Sequence, residues 1–95
     1  PERKAVEMHA MDIARELYER KGWALVDKSG SHPFDLLATK DLEKRYVEVK
    51  GTTGEGKSII LTRGEVDHVK KYNYDSALVV VSNIRLNKKN GEWRI

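Results

Sequence analysis

Apolar residues recur at spacings of three and four over the first twenty positions. Val6, Ala10, Ile13, Ala14 and Leu17 fall along one side of a helical wheel with charged residues elsewhere, so residues 2–21 are predicted to form a helix that Gly22 ends. Beyond Gly22 the period shortens. Residues 23–26 form a brief apolar segment predicted as a strand, and residues 28–33 have loop composition. Residues 34–39 and 45–50 read as two strands of a hairpin around a charged turn near residues 40–44. A Gly- and Thr-containing loop at 51–56 leads to a short strand at 58–61. Thr62 and Glu65 have capping-box spacing and open a second helix to about Lys71, with Val66 and Val69 on its buried side. Residues 76–81 hold the most apolar run, predicted as a central strand covered on both faces. Residues 87–91 read as a polar turn and 93–95 as a last edge strand.

The order is α-β-β-β-(β)-α-β, which fits a two- or three-layer α/β domain with a mixed sheet flanked by helices. No repeat or long linker divides the chain, and 95 residues suffice for one domain with a modest core. A composition 39% hydrophobic and 35% charged is that of a soluble globule rather than a disordered tail. The chain has no cysteine, which excludes disulfides and thiolate metal sites. His9, His32 and His68 fall on separate elements, so no zinc-ligand spacing is expected from them. No apolar run approaches membrane-spanning length and no signal peptide is visible, so no membrane partner is expected. A net charge of +3 permits a polyanionic partner without requiring one. Because the chain opens at Pro1 without an initiator Met, it is expected to be part of a longer polypeptide that carries further determinants of substrate choice.

The chemistry concentrates in Phe34-Asp35 and in Tyr46-Val47-Glu48-Val49-Lys50. Alternation along a strand puts Glu48 and Lys50 on one face and Val47 and Val49 on the other. If Asp35 faces the same way, two carboxylates and one ammonium converge at the sheet surface. Asp35 lies in an otherwise apolar stretch, where an unpaired carboxylate is costly and calls for a lysine, a hydrogen-bond donor or a cation. Asp35 and Glu48 offer hard oxygen ligands suited to Mg2+ or Mn2+, and the Val49 carbonyl would add a third. Lys50 would orient an attacking water or bind a phosphate, and whether burial lowers its pKa is left open. Gly51 lets a backbone or a phosphate come close. The plain alternative is an exposed strand face with alternating charges; on the catalytic reading, Lys50→Ala is expected to change stability little.

Other residues are candidates for nucleic-acid contact. His32 precedes Pro33 and lies near Asp35; Thr52 and Thr53 belong to a loop beside the metal site that would enter a groove; Lys57 and Arg63, with Lys70 and Lys71, would track a phosphate backbone. A solvated, charge-rich surface explains the lysines and arginine equally well. Trp23 and Trp93 are expected to serve core or interdomain contacts.

Asp35 with Glu48-Val49-Lys50 resembles the PD-(D/E)xK nuclease superfamily, although Phe34 stands where the motif has proline. The succession Phe34-Asp35-Leu36, Tyr46 to Thr53, Ile60 to Glu65, Tyr74 and Leu78 to Asn83 is more closely similar to the NO VEIN-type C-terminal nuclease-like domain. The resemblance implies a restriction-endonuclease-like core and a nucleic-acid-processing module attached to a larger machine. It also implies that Glu7, on the first helix, assists at the metal site, and that polar residues opening the second helix lie near the active face. The expected function is a Mg2+-dependent endonuclease domain acting on DNA, double-stranded or branched, with Asp35 and Glu48 binding the metal and Lys50 positioning water. The expected form is a homodimer or a partner of other domains and subunits, located in the cytoplasm or nucleoid, or in the nucleus of a eukaryote. Two other readings stand beside it: a catalytically silent nucleic-acid-binding module of the same fold, and a protein-interaction domain.

Overall fold

The computed structural model describes residues 2–89 and 92–94. Helix α1 (Glu2–Arg20) is followed by strands β1 (Ala24–Asp27), β2 (Leu36–Lys40) and β3 (Glu43–Gly51), helix α2 (Arg63–Lys71), a short 3-10 turn (Asn73–Asp75), and strand β4 (Ser76–Val81). Strands β5 (Asn87–Lys89) and β6 (Glu92–Arg94) form a separate antiparallel pair. The main sheet runs β1-β2-β3-β4, antiparallel across the first three strands and parallel between β3 and β4, with α2 in the crossover. A mixed, partly antiparallel sheet flanked by helices is the architecture expected from the element order.

Helix α1 ends as its sequence dictates. Gly22 takes a left-handed conformation (φ 89°), its N–H donates to the Glu19 carbonyl at 3.0 Å, and the Trp23 N–H donates to Tyr18 at 3.0 Å. This pair of bonds is the Schellman motif, which favours glycine because a Cβ is strained at that φ. The apolar contact that accompanies the motif is present as an edge-on Tyr18–Trp23 ring pair, 5.8 Å between centroids.

The buried face of α1 is narrower than its apolar spacing suggests. Val6, Ala10 and Ala14 are buried, with Met11 and Tyr18 packed beside them, while Ile13 and Leu17 are 38% and 41% exposed. Close approach of the helix to β3 selects small residues along the contact line. A Cβ on Gly51 would lie 2.8 Å from the Ala10 Cβ and 3.0 Å from the Val6 carbonyl. The backbone that comes close at Gly51 is therefore that of α1. Gly51→Ala is expected to destabilise the fold by about 1–3 kcal/mol, read as a lowered Tm, because neither contact yields without moving the helix.

Other differences from the sequence expectations have physical causes. No strand forms at residues 58–61: β3 and β4 pair directly, leaving no sheet edge for it between them, and Ile60 is 87% exposed. β4 is an edge strand of its sheet rather than a central one. Ala77, Val79 and Val81 pack toward α1, whereas Leu78 and Val80 alternate outward and are 49% and 37% exposed. The central position belongs to β3, which carries the charges. Residues 87–89, expected in a turn, pair with β6, while Asn90, Gly91 and Ile95 lie outside the described residues. Among the described residues no helix is long and apolar enough to cross a membrane.

Candidate functional site

The site arises where β2 and β3 part. β2 begins at Leu36, opposite Val47, so Glu48 to Gly51 extend beyond their antiparallel partner. Asp35, expected within the strand, stands just before it and fills the gap. Its N–H donates to the Val47 carbonyl at 2.9 Å, and its carboxylate accepts the Val49 N–H at 2.8 Å. A backbone donor that no strand can reach is thereby satisfied. The Val49 carbonyl points to the same side of the strand as its N–H.

Val47 and Val49 pack into the core beneath α1, and Glu48 and Lys50 alternate to the other side of β3. Glu65, in the first turn of α2, completes the group. The Lys50 Nζ lies 3.0 and 3.2 Å from the two Glu65 oxygens and 3.8 Å from Oε1 of Glu48. Glu65 is itself held by the Thr62 N–H at 2.8 Å, half of a complete capping box. Glu65 thus caps the helix and anchors the lysine at once. The crossover helix begins beyond the C-terminal end of β3, and its first turn meets Lys50 there.

The electrostatics are lopsided. The carboxyl groups of Asp35, Glu48 and Glu65 meet around one ammonium. Glu48 is buried, and its Oε2 has no hydrogen-bond partner. Burial first, then the Asp35 and Glu65 carboxyls, push its pKa up to about 9. Burial is the largest single influence on Glu65 and Lys50 as well, but their partners together outweigh it. Glu65 is lowered by the Thr62 N–H and Lys50. Lys50 is raised by Glu65, Glu48 and Asp35. At neutral pH Lys50 keeps its charge, pairs with Glu65, and leaves Glu48 to hold a proton.

A cleft of about 570 Å³ opens over the group, lined also by the exposed Glu7 of α1 and by the Arg15–Asp27 ion pair (3.0 Å). Asp35, Glu48, Val49, Lys50 and Glu7 all line it, as does Glu65, which the sequence marks first as a cap. The remaining candidates lie outside it. Thr52 and Thr53 border a shallower groove beside Glu2, and the Thr52 hydroxyl accepts the Gly54 N–H. Lys57 pairs with Glu55 at 2.9 Å, and Arg63 with Asp67 at 3.4 Å. His32 belongs to an aromatic group with Phe34. As the side chains stand, no group of three or more His, Cys, Asp or Glu among the described residues is arranged to hold a metal ion.

A family model described as Protein NO VEIN, C-terminal, matches residues 6–95. A UPF0102 protein of Synechococcus sp. (strain CC9902) is 43% identical over 49 residues, which cover 48% of this chain and 40% of that relative. The chain therefore spans less than half the length of the curated relative it matches. Both similarities point to a PD-(D/E)xK-like nuclease superfamily at the level of the fold. No solved structure matches the chain.

Proposed function

Because the chain belongs to the NO VEIN C-terminal family, we propose that it is a divalent-metal-dependent endonuclease module that hydrolyses DNA phosphodiester bonds. One observation carries this reading: Glu48 is buried beside two further carboxyl groups with an oxygen that no donor reaches. Such a group is one positive charge short, and a hard cation is the species that oxygen ligands of this kind suit. Asp35, Glu48 and the Val49 carbonyl would hold Mg2+ or Mn2+, which supplies a Lewis acid for charge on the phosphoryl oxygens and for a bound water.

The chain's own residues do the rest. The Val49 N–H fixes one Asp35 oxygen and leaves the other for the cleft. Glu48 would hold the cation as a carboxylate, with its proton released to solvent. Lys50, gripped by Glu65 and kept protonated, is unsuited to act as a base; it serves as a fixed positive charge that binds phosphate and orients the attacking water. Glu7 assists from the cleft wall. Cutting both strands of a duplex needs two such sites, so the active form is a homodimer or works within a larger assembly.

The test is cleavage of plasmid and branched DNA by wild type and Lys50→Ala in Mg2+, Mn2+ or EDTA. Metal-dependent nicking by wild type alone is expected. DNA binding without nicking would favour a silent binding module, and absence of both an interaction domain. Contrary to the sequence expectation, Lys50→Ala is also expected to cost about 1–3 kcal/mol in metal-free buffer, because it strips Glu65 of its partner. Circular dichroism in EDTA checks this.

A further inference from the structure

We propose that the aromatic face shared by α2 and β3 holds one unpaired nucleobase of the strand whose phosphodiester lies in the carboxylate cleft. The inference rests on the nuclease reading and narrows its substrate to nucleic acid with a single-stranded or splayed-out nucleotide.

His68 stands at the centre of this face. Its ring lies 4.9 Å from Phe34, 4.8 Å from Tyr46 and 4.7 Å from Tyr72, and His32 meets Phe34 at 5.4 Å. A cavity of about 640 Å³ opens against these rings. Phe34 is buried and forms the floor of this face, whereas Tyr46, His68 and Tyr72 stay half-buried and His32 is exposed, so attachment of α2 to the sheet leaves ring surface open. The border is cationic. The Lys44 ammonium lies 5.5 Å from the Tyr46 centroid, that of Lys71 lies 5.3 Å from Tyr72, and Lys28 lines the cavity. Asp67 is the acidic residue on its wall, and it is paired with Arg63. Rings to stack on beside lysines to meet a sugar–phosphate backbone are the features by which single strands are held. Burial, with Lys71 and His32 nearby, holds the His68 imidazole below its ordinary pKa, which leaves the ring neutral and suited to stacking at pH 7.

The position relative to the cleft supplies the rest of the argument. Tyr46 and Glu48 are two residues apart on one face of β3, about 7 Å along the strand. His68 and Glu65 are one turn apart on α2. The same two elements therefore carry the rings at one end and the carboxyl groups at the other, about one nucleotide apart. A base inside a duplex stack cannot lie on such a face, whereas an unpaired base can.

The test measures binding in EDTA, where no metal-dependent cleavage occurs. The probes are a short single strand carrying 2-aminopurine, an abasic sugar–phosphate strand of equal length, and a blunt duplex. The expected result is quenching of 2-aminopurine on binding, with the abasic strand bound about tenfold more weakly. Tyr72→Leu should lose both effects and Tyr72→Phe should keep them. If Tyr72→Leu fails to fold, the comparison of the two strands on wild type still decides. Equal affinity for the intact and abasic strands without quenching would overturn the inference. Failure here leaves metal-dependent nicking untouched, and an enzyme that never nicks can still quench the probe, so the two readings fail separately.

Discussion

Glu48→Gln is expected to abolish metal-dependent cleavage while making the metal-free protein more stable. The two effects share one cause. In metal-free protein Glu48 is buried against Asp35 and Glu65, with one oxygen lacking a donor. Folding at neutral pH must therefore protonate a carboxyl that is ionised in the unfolded chain. Glutamine of nearly the same shape has no such charge to neutralise, and its amide can donate to the neighbouring carboxylates. The gain should reach at least about 1 kcal/mol, and each kcal/mol raises the Tm of a domain this size by about 4–8 °C. The amide is a poor cation ligand, so the nicking rate should fall on the order of 10³-fold. Thermal melts in EDTA and plasmid nicking in Mg2+ check the two halves. A variant that gains stability and still cuts would detach Glu48 from catalysis.

The second large effect is a stability that declines with pH and is restored by metal. The folded-state pKa of Glu48, about 9, lies above its ordinary value of 4.5. Between those values the folded protein binds more protons than the unfolded chain, so stability falls as pH rises, with a slope approaching about 1.4 kcal/mol per pH unit for one proton. His68 acts in the opposite sense but below its ordinary pKa of 6.5, where its lowered value lets the unfolded chain take up protons first. From pH 7 to 9 the Glu48 contribution therefore dominates among the shifted groups of the described residues. Urea unfolding in EDTA should show falling stability across that window. In Mg2+ or Mn2+ the slope should vanish, because a bound cation replaces the proton. A flat profile in EDTA would mean that Glu48 is ionised and already compensated.

How far the structure can be read in the sequence depends on the element. Helix α1 and its end at Gly22 follow from local rules, as does the Thr62–Glu65 capping box, whose two bonds both form. The meeting of Asp35, Glu48 and Lys50 is legible from strand alternation, even though Asp35 lies before the strand rather than within it. What escapes is set by tertiary context. Ile13 and Leu17 belong to the apolar stripe of α1, but close packing at Gly51 turns the helix onto its alanines. The run Ala77–Val81 reads as central, yet parallel pairing to β3 alone leaves Leu78 and Val80 on an open face of an edge strand. Residues 58–61 have strand composition, but β3 and β4 pair directly and leave no place between them. Glu65 is accounted for in sequence by its capping role, so its bidentate hold on Lys50 has no separate local signal. The aromatic group of Phe34, Tyr46, His68 and Tyr72 is drawn from three elements, and no spacing along the chain announces it.

The central claim is that Asp35 and Glu48 share a divalent cation. Titration of the protein with Mn2+ at pH 8, followed by loss of the free-ion electron paramagnetic resonance signal, tests it most directly. One saturable Mn2+ per chain is expected in the wild type, with weakened or absent binding in Asp35→Asn. Wild-type protein that leaves the free-ion signal unchanged, or an Asp35→Asn variant that binds as tightly, would contradict it.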